Sequence, residues 1–133
     1  MLRGGCFCRS VRYEIDAGPS SETACHCSIC RHTSGAPFVG WFSVPRGALR
    51  FVTDEPAGFK SSERATRTFC SSCGTAITFQ SQDSPDEVDV TIASLDEAGS
   101  VPIKDHTFVR SKLAWVNIDD GLPAYPTTRD AGL

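Results

Sequence analysis

The sequence lacks any apolar run that approaches the about 20 residues of a membrane-spanning helix. It also lacks an excess of basic charge, because thirteen lysines and arginines against sixteen aspartates and glutamates give a formal net charge of -3. Proteins that bind nucleic acids usually present a basic face. The first residues contain no apolar segment of a secretory signal peptide. We therefore expect a cytoplasmic protein whose partner is neither a membrane nor a nucleic acid.

Long amphipathic stretches are absent as well, and short strand-like segments take their place. Segments 10–15 and 87–93 alternate apolar and polar residues with a period of two, which is typical of half-buried strands. Helix is predicted only as one or two turns near 28–34 and 95–98. Six more segments, most of them rich in β-branched and aromatic residues, are predicted as strands: 38–44, 49–52, 66–69, 76–80, 104–109 and 114–118.

These elements predict an all-β fold of short antiparallel strands. A length of 133 residues suits one domain, and no repeat or Ser/Gly linker divides the chain. Hydrophobic residues at 40% and charged residues at 22% are ordinary for a globular protein. We place the domain at residues 1–126 and a flexible polar tail at 127–133.

The sequence contains seven cysteines, which is a high number for a chain of this length. An odd number cannot pair completely within one chain, and disulfides rarely persist in a reducing compartment. Metal ligands or reactive thiols are therefore favoured over disulfides. The cysteines form three clusters, which are C-x-C at Cys6 and Cys8, C-x-C-x-x-C at Cys25, Cys27 and Cys30, and C-x-x-C at Cys70 and Cys73.

The cluster spacing favours a division of the seven cysteines into four and three. The middle cluster spans six residues, so one loop can place its three sulfurs on one metal. The two outer pairs then complete a four-sulfur site of the kind that holds structural zinc. The sequence leaves open a mixed pairing, for example of Cys25 and Cys27 with the last pair. We refer to Cys6, Cys8, Cys70 and Cys73 as the quartet and to Cys25, Cys27 and Cys30 as the triplet.

A zinc ion on the triplet would have three protein ligands and one open position, as catalytic zinc sites do. Three thiolates give that zinc a formal charge of minus one, and they blunt it as a Lewis acid. A soft thiol would still bind there, and a coordinated thiol is deprotonated. The triplet is therefore suited to hold a thiolate that adds to an electrophile such as an aldehyde.

Other roles for these residues compete with this one. A structural module with two closed zinc sites needs a fourth ligand on the triplet, and His26, His32 and His106 are the candidates. A redox or metal-storage protein would exchange its zinc readily and oxidise easily at the triplet. In an enzyme, His106 could transfer a proton to the alkoxide that forms when the aldehyde is attacked.

The clusters and their surroundings resemble the glutathione-dependent formaldehyde-activating enzyme family, which also includes centromere protein V. The middle cluster lies in the block 25–31, with Ser34 and Gly35 after it, and the last pair lies in the block 69–75. The late segments 106–116 and 119–123 are similar to the C-terminal signature of the family. The resemblance covers nearly the whole chain, and three ordered cysteine clusters make it specific.

The resemblance implies a zinc-bearing all-β fold of the β-tent type, with stacked sheets around a structural zinc. The quartet carries over as the ligands of that structural zinc, and the triplet as the ligands of the zinc linked to activity. The founding activity condenses glutathione with formaldehyde to S-hydroxymethylglutathione and is classed as a carbon–sulfur lyase. The implied cofactor is zinc in two sites, and the implied partners are a small thiol and an aldehyde.

We accordingly expect a carbon–sulfur lyase-like enzyme that adds a small thiol, glutathione or a similar one, to a small aldehyde, or releases it. Centromere protein V resembles this domain in a non-enzymatic setting, so a non-catalytic zinc-stabilised binding module is the alternative. Three close thiols that lose zinc could form a disulfide, so partial occupancy or oxidation of the triplet is expected on isolation. We expect a monomer or a homodimer.

Overall fold

The computed structural model describes residues 1–129, which form ten β-strands and one α-helix. Short 3-10 turns cover 46–48, 92–94, 98–100 and 109–111. The helix α1 spans Ser28–Ser34, as the sequence predicts. The strands are β1 (Leu2–Gly5), β2 (Arg12–Ile15), β3 (Ser20–Cys25), β4 (Val39–Pro45), β5 (Leu49–Phe51), β6 (Ala57–Ser62), β7 (Ala65–Phe69), β8 (Ala76–Ser81), β9 (Glu87–Thr91) and β10 (Asp105–Thr107).

The strands form one small and one large sheet. The small sheet has the order β1-β2-β5, and the large one has the order β10-β3-β4-β9-β8-β7-β6. All neighbours are antiparallel except β3 and β10, which are parallel. A long stretch of chain separates these two strands, so no tight hairpin dictates their relative direction. The predicted all-β fold is confirmed, with this one parallel pair added to the antiparallel strands.

Two of the predicted elements differ in the structure. Segment 114–118 is not a strand but part of an irregular stretch, in which the ammonium of Lys112 donates to the carbonyls of Leu113 and Val116. Those carbonyls are thus occupied by a side chain rather than by a neighbouring strand. Segment 95–98 is not a helix of its own: Leu95 forms an isolated bridge with Gly4, residues 96–97 are a turn, and Ala98 begins the 3-10 turn at 98–100.

Strands β1, β3 and β6 are absent from the prediction because their residues are not typical of strands. β1 ends in two glycines, and a Cβ at Gly4 would meet the hydroxyl of Tyr13. Glycine is therefore needed at this close approach, although it weakens the strand signal. β3 carries several polar residues that are buried by its neighbours, and β6 is an exposed edge strand.

Strand β4 separates two apolar clusters. Phe42 and Val44 face the main core, which they form with residues of both sheets such as Tyr13 and Ile15 of β2. Val39 and Trp41 face the other side of the large sheet, where they pack with Cys25 and Cys30. Alternation along one strand thus places the triplet on the face of the large sheet opposite the main core.

The end of the described chain is attached to the large sheet. The amide of Phe108 donates to the carbonyl of Thr127 at 2.9 Å, and the Arg129 guanidinium pairs with Asp105 of β10. The rest of the predicted flexible tail, residues 130–133, lies outside the described residues. Within residues 1–129, no helix has the length and apolar character needed to span a bilayer.

We predict that a neutral residue at Asp89 of β9 stabilises the fold near neutral pH. Burial raises the pKa of Asp89, although the carboxylate accepts a hydrogen bond of 2.6 Å from Ser43. The folded state therefore binds the proton more tightly, and the free energy of unfolding falls as the pH rises from about 3.9 through the folded pKa. Asp89→Asn, whose amide oxygen still accepts from Ser43, should be more stable than the wild type at pH 7.

Urea denaturation from pH 7 down to pH 4 measures this effect. The advantage of Asp89→Asn should shrink as the pH approaches 4, because the wild-type carboxyl then becomes neutral as well. Asp86→Asn, at an exposed position three residues earlier in the turn before β9, is the control and should show no such trend. An advantage of Asp89→Asn that stays constant over this range would contradict the prediction.

Candidate metal centres

The quartet forms where the loop after β1 meets the turn between β7 and β8. Its four sulfurs all lie within 4.8 Å of one another. The Cys8 sulfur is 3.5 Å from that of Cys6 and 3.7 Å from that of Cys70. Four thiolates at about 2.3 Å from one zinc ion in a tetrahedron would be about 3.8 Å apart. The quartet could therefore hold a metal, and the site would join the edge of the small sheet to the large one.

Backbone amides point at the quartet sulfurs. The amide of Val11 donates to the Cys6 sulfur at 3.3 Å, and the amides of Ser72 and Cys73 each donate to the Cys70 sulfur at 3.4 Å. Such donors stabilise thiolate over thiol. The backbone around both pairs is thus shaped to accept negative charge on the sulfurs.

The turn after the last pair has the conformation that its glycine predicts. Gly74 has a φ of 82°, and its amide donates to the carbonyl of Cys70 at 2.8 Å. A residue with a Cβ would be strained at this φ. Hydrogen bonds to Thr75 lower the pKa of Cys73 to about 5. Burial works against thiolate at Cys6, but the Val11 amide and neighbouring groups lower its pKa to about 7.

The triplet lies at the junction of β3 and α1. Cys25 ends β3, Cys27 caps the helix by accepting from the amide of Cys30 at 3.2 Å, and Cys30 lies in the first turn. The three sulfurs lie within 4.8 Å of one another, and those of Cys25 and Cys30 are 3.4 Å apart. Contact with the other two thiols lowers the pKa of Cys27 to about 2, whereas the same contacts raise that of Cys25. The triplet could also hold a metal.

Within residues 1–129, no other Cys, His, Asp or Glu brings a ligand atom into the triplet group. The histidines that could have served as a fourth ligand lie elsewhere. His32 is exposed on α1, and His26, although it lies between two triplet cysteines, is buried against Phe38 and His106.

The structure does not bring His106 to the triplet sulfurs. In the β3–β10 pair, His106 lies opposite Ala24, and the next residue lies opposite Cys25. Side chains alternate along a strand, so His106 and Cys25 point to opposite faces of the sheet. His106 Nδ1 is 3.0 Å from His26 Nε2, and His106 Nε2 is 2.7 Å from Asp120 Oδ2. This chain of contacts ties the segment that bears Asp120 to the loop that carries the triplet.

The burial of His26 determines its charge. His26 is fully buried, and this burial, together with the nearby His106 and Lys112, lowers its pKa. His26 is therefore held neutral, and a neutral ring is compatible with its apolar neighbour Phe38. The C-terminal signature contains both His106 and Asp120, but the sequence does not indicate that their side chains meet, because this contact and the one with His26 depend on how the segments fold together.

A cavity of 290 Å³ lies beside α1, close to the triplet. Its walls include Trp41, Phe59 and Phe69, and Arg67 of β7 supplies positive charge. The Arg67 guanidinium is 3.7 Å from the Cys30 sulfur, so one residue contacts both the triplet and the cavity. Sequence reasoning missed Arg67, although its position supplied a signal: it lies two residues after Ala65 and two before Phe69, on the apolar side of a period-two strand.

A comparison with protein families matches residues 1–111 to the glutathione-dependent formaldehyde-activating enzyme family. The chain belongs to this family. The matched range contains the quartet, the triplet and His106, whereas Asp120 lies beyond it.

Two relatives extend the comparison. An uncharacterized lyase of Schizosaccharomyces pombe is 29% identical over 76 residues, which are 57% of this chain and 55% of that protein. The match thus spans about half the length of that relative. The crystal structure of a Rhodobacter sphaeroides protein has a TM-score of 0.60 at 24% identity, over 92% of this chain and 98% of that one. At this identity, the second likeness shows the fold alone.

In the structure the seven cysteines form the quartet and the triplet, which is the division that the cluster spacing favours. The mixed pairing of Cys25 and Cys27 with Cys70 and Cys73 is not formed in the structure. The local spacing of the triplet makes this grouping predictable, because the three sulfurs need only one tight turn. The meeting of the outer pairs depends on the fold.

We predict that Cys27→Ala lowers the metal content from two ions per chain to one and leaves the fold intact. Cys27 supplies one of only three sulfurs in its group, and it is half-buried at the start of a short helix. The measurement is metal stoichiometry with a count of free thiols on anaerobically purified protein. Ser34→Ala, at the other end of the same helix, is the control and should retain both ions. Two ions per chain in Cys27→Ala would contradict the prediction.

We predict a much larger loss of stability for Cys70→Ala. Cys70 is 1% exposed and belongs to the group that joins the two sheets, and metal binding at such a site contributes directly to folding. We expect Cys70→Ala to lower the free energy of unfolding by about 3 kcal/mol or more. Chemical denaturation of Cys70→Ala and Cys27→Ala side by side measures the difference, and equal losses would show that the quartet has no special structural role.

Proposed function

We propose that this protein is a zinc-dependent, carbon–sulfur lyase-like enzyme. It adds a small thiol, glutathione or a similar one, to a small aldehyde, or releases the thiol from the adduct. The triplet carries the proposal, because its three clustered sulfurs have no fourth protein ligand among residues 1–129. Membership of the formaldehyde-activating family and the lyase name of the S. pombe relative support the same reaction class.

The donor sets of both groups fit zinc. Thiolates are soft ligands, which zinc accepts in tetrahedral sites, and four of them are typical of structural zinc. The sulfur separations of 3.4–3.7 Å are close to those around a single ion. A zinc ion on the triplet would bind a thiol as its thiolate and keep that sulfur ready to attack an aldehyde.

The residues of the chain hold the reacting groups in place. The amide of Cys30 orients the Cys27 sulfur, and the Arg67 guanidinium contacts the Cys30 sulfur. The cavity beside α1 offers its apolar walls to the organic part of a substrate. At 290 Å³, it lies near the lower limit of about 300–1,000 Å³ for small-molecule sites, which favours small substrates. A cytoplasmic location and a monomeric or dimeric state remain predictions from the sequence.

We predict that the zinc-loaded wild type accelerates formation of the glutathione–formaldehyde adduct above the uncatalysed rate. Cys27→Ala should reduce this acceleration by about 100-fold or more, which is about 2.7 kcal/mol of transition-state stabilisation. Exchange spectroscopy by NMR measures both rates. His32→Ala is the control, because His32 is exposed on the same helix and should not affect the rate.

The result can also favour the alternative function. If the wild type holds two zinc ions and the rate stays at the uncatalysed value with glutathione and with smaller thiols, a non-catalytic zinc-stabilised binding module is the better description. An accelerated rate that is unchanged in Cys27→Ala would show that the reaction occurs away from the triplet.

A further inference from the structure

Arg67 is a buried charge that has no carboxylate as its partner within residues 1–129. The residue is 7% exposed, and none of the seven ion pairs of the described chain includes it. Its Nε is buried without a hydrogen-bond acceptor. Arginine stays protonated in proteins, and a buried charge is unfavourable unless another group compensates it. The compensation for Arg67 must therefore come from a different kind of group.

The contacts of Arg67 direct its charge toward the triplet. Its two terminal nitrogens lie 3.8 and 3.7 Å from the Cys30 sulfur, and one of them donates to the Thr33 hydroxyl at 3.3 Å. The guanidinium lies over the ring of Phe79 at 4.8 Å and near that of Trp41 at 5.9 Å. The two rings and the hydroxyl fix its orientation. The Cys30 sulfur is the only group in these contacts that can carry negative charge.

We propose that Arg67 is a positioning residue that supplies the counter-charge of the triplet and selects ligands that bind there as anions. The inference rests on the proposed function, since it requires a divalent metal on the triplet. Three thiolates and one such ion leave a charge of minus one, which Arg67 neutralises. When a thiolate binds as well, the net charge of the buried site becomes minus one. Without Arg67 that net charge would be minus two. Charges interact strongly in a buried site, so this difference favours anionic over neutral ligands.

A purely structural role for Arg67 predicts a different outcome. The same contacts could simply hold α1 against the large sheet, because Thr33 lies in α1 and the aromatic rings lie on β4 and β8. Loss of such a clamp would disturb the triplet for every ligand equally. Only the counter-charge role separates ligands by their charge.

The test uses the full chain loaded with Co²⁺, whose visible absorption reports each added ligand. The probes are 2-mercaptoethanol, which binds as a thiolate, and imidazole, which binds as a neutral molecule. We expect Arg67→Gln to lower the affinity for 2-mercaptoethanol by a factor at least tenfold greater than the factor by which it lowers the affinity for imidazole. Arg67→Lys retains the charge and should keep the ratio of the two affinities within about threefold of the wild type. Arg64→Gln, at an exposed residue of the neighbouring turn that pairs with Asp83, should leave the ratio unchanged.

The outcomes distinguish this inference from the proposed function. If the wild type holds two Co²⁺ ions and Arg67→Gln lowers the affinity for both probes equally, or for neither, the counter-charge role is overturned and the proposed function is not. A wild type that takes up a single Co²⁺ ion overturns both proposals. If Arg67→Gln does not fold, Arg67→Met, which keeps an unbranched side chain but removes the charge, takes its place: a loss of 2-mercaptoethanol affinity at least tenfold greater than the loss of imidazole affinity supports the counter-charge role, and equal losses overturn it.

Discussion

The mutual repulsion that clustered cysteine sulfurs experience when they ionise to thiolates is the constraint on which the rest of this structure depends. Seven cysteine sulfurs gather in two groups, and within each group every sulfur lies within 4.8 Å of the others. Such a group is stable only when positive charge or hydrogen-bond donors oppose the accumulated negative charge. The quartet draws its sulfurs from two loops that are far apart in sequence, so whatever stabilises it also fixes the small sheet against the large one.

Strand β4 contributes one side to the main core and the other side to the triplet. Its alternate residues serve two environments, since Phe42 and Val44 complete the main core while Val39 and Trp41 support the triplet. The triplet therefore lies on a face of the large sheet that the main core does not use. A change of ligand at the triplet need not disturb the packing between the sheets, which is a condition for a site that binds and releases substrate.

Sequence reasoning succeeded where the information is local, and it reached the quartet because only two cysteine pairs remained once the triplet was assigned. It failed for the other contacts between distant segments. The alternation in 10–15 and 87–93 predicted β2 and β9, and the spacing of the triplet predicted its grouping, because neighbouring residues decide both. The glycines of β1 hid a strand, since their role is set by contact with Tyr13. The contact of His106 with Asp120 and that of Arg67 with Cys30 arise only when remote strands and loops meet.

The two cysteine groups are stabilised by different means, and this difference bears on function. The quartet sulfurs accept hydrogen bonds from neutral backbone amides, which stabilise negative charge on the sulfurs but do not neutralise it. The triplet also receives one backbone amide, which Cys30 donates to the Cys27 sulfur, but in addition it faces the full positive charge of Arg67, in a buried setting where that charge is weakly screened. A closed four-thiolate site needs no further ligand, so dipoles suffice. Under the proposed function the triplet must accept one more anion, so it needs a full positive charge nearby, and Arg67 lies where it can supply that charge.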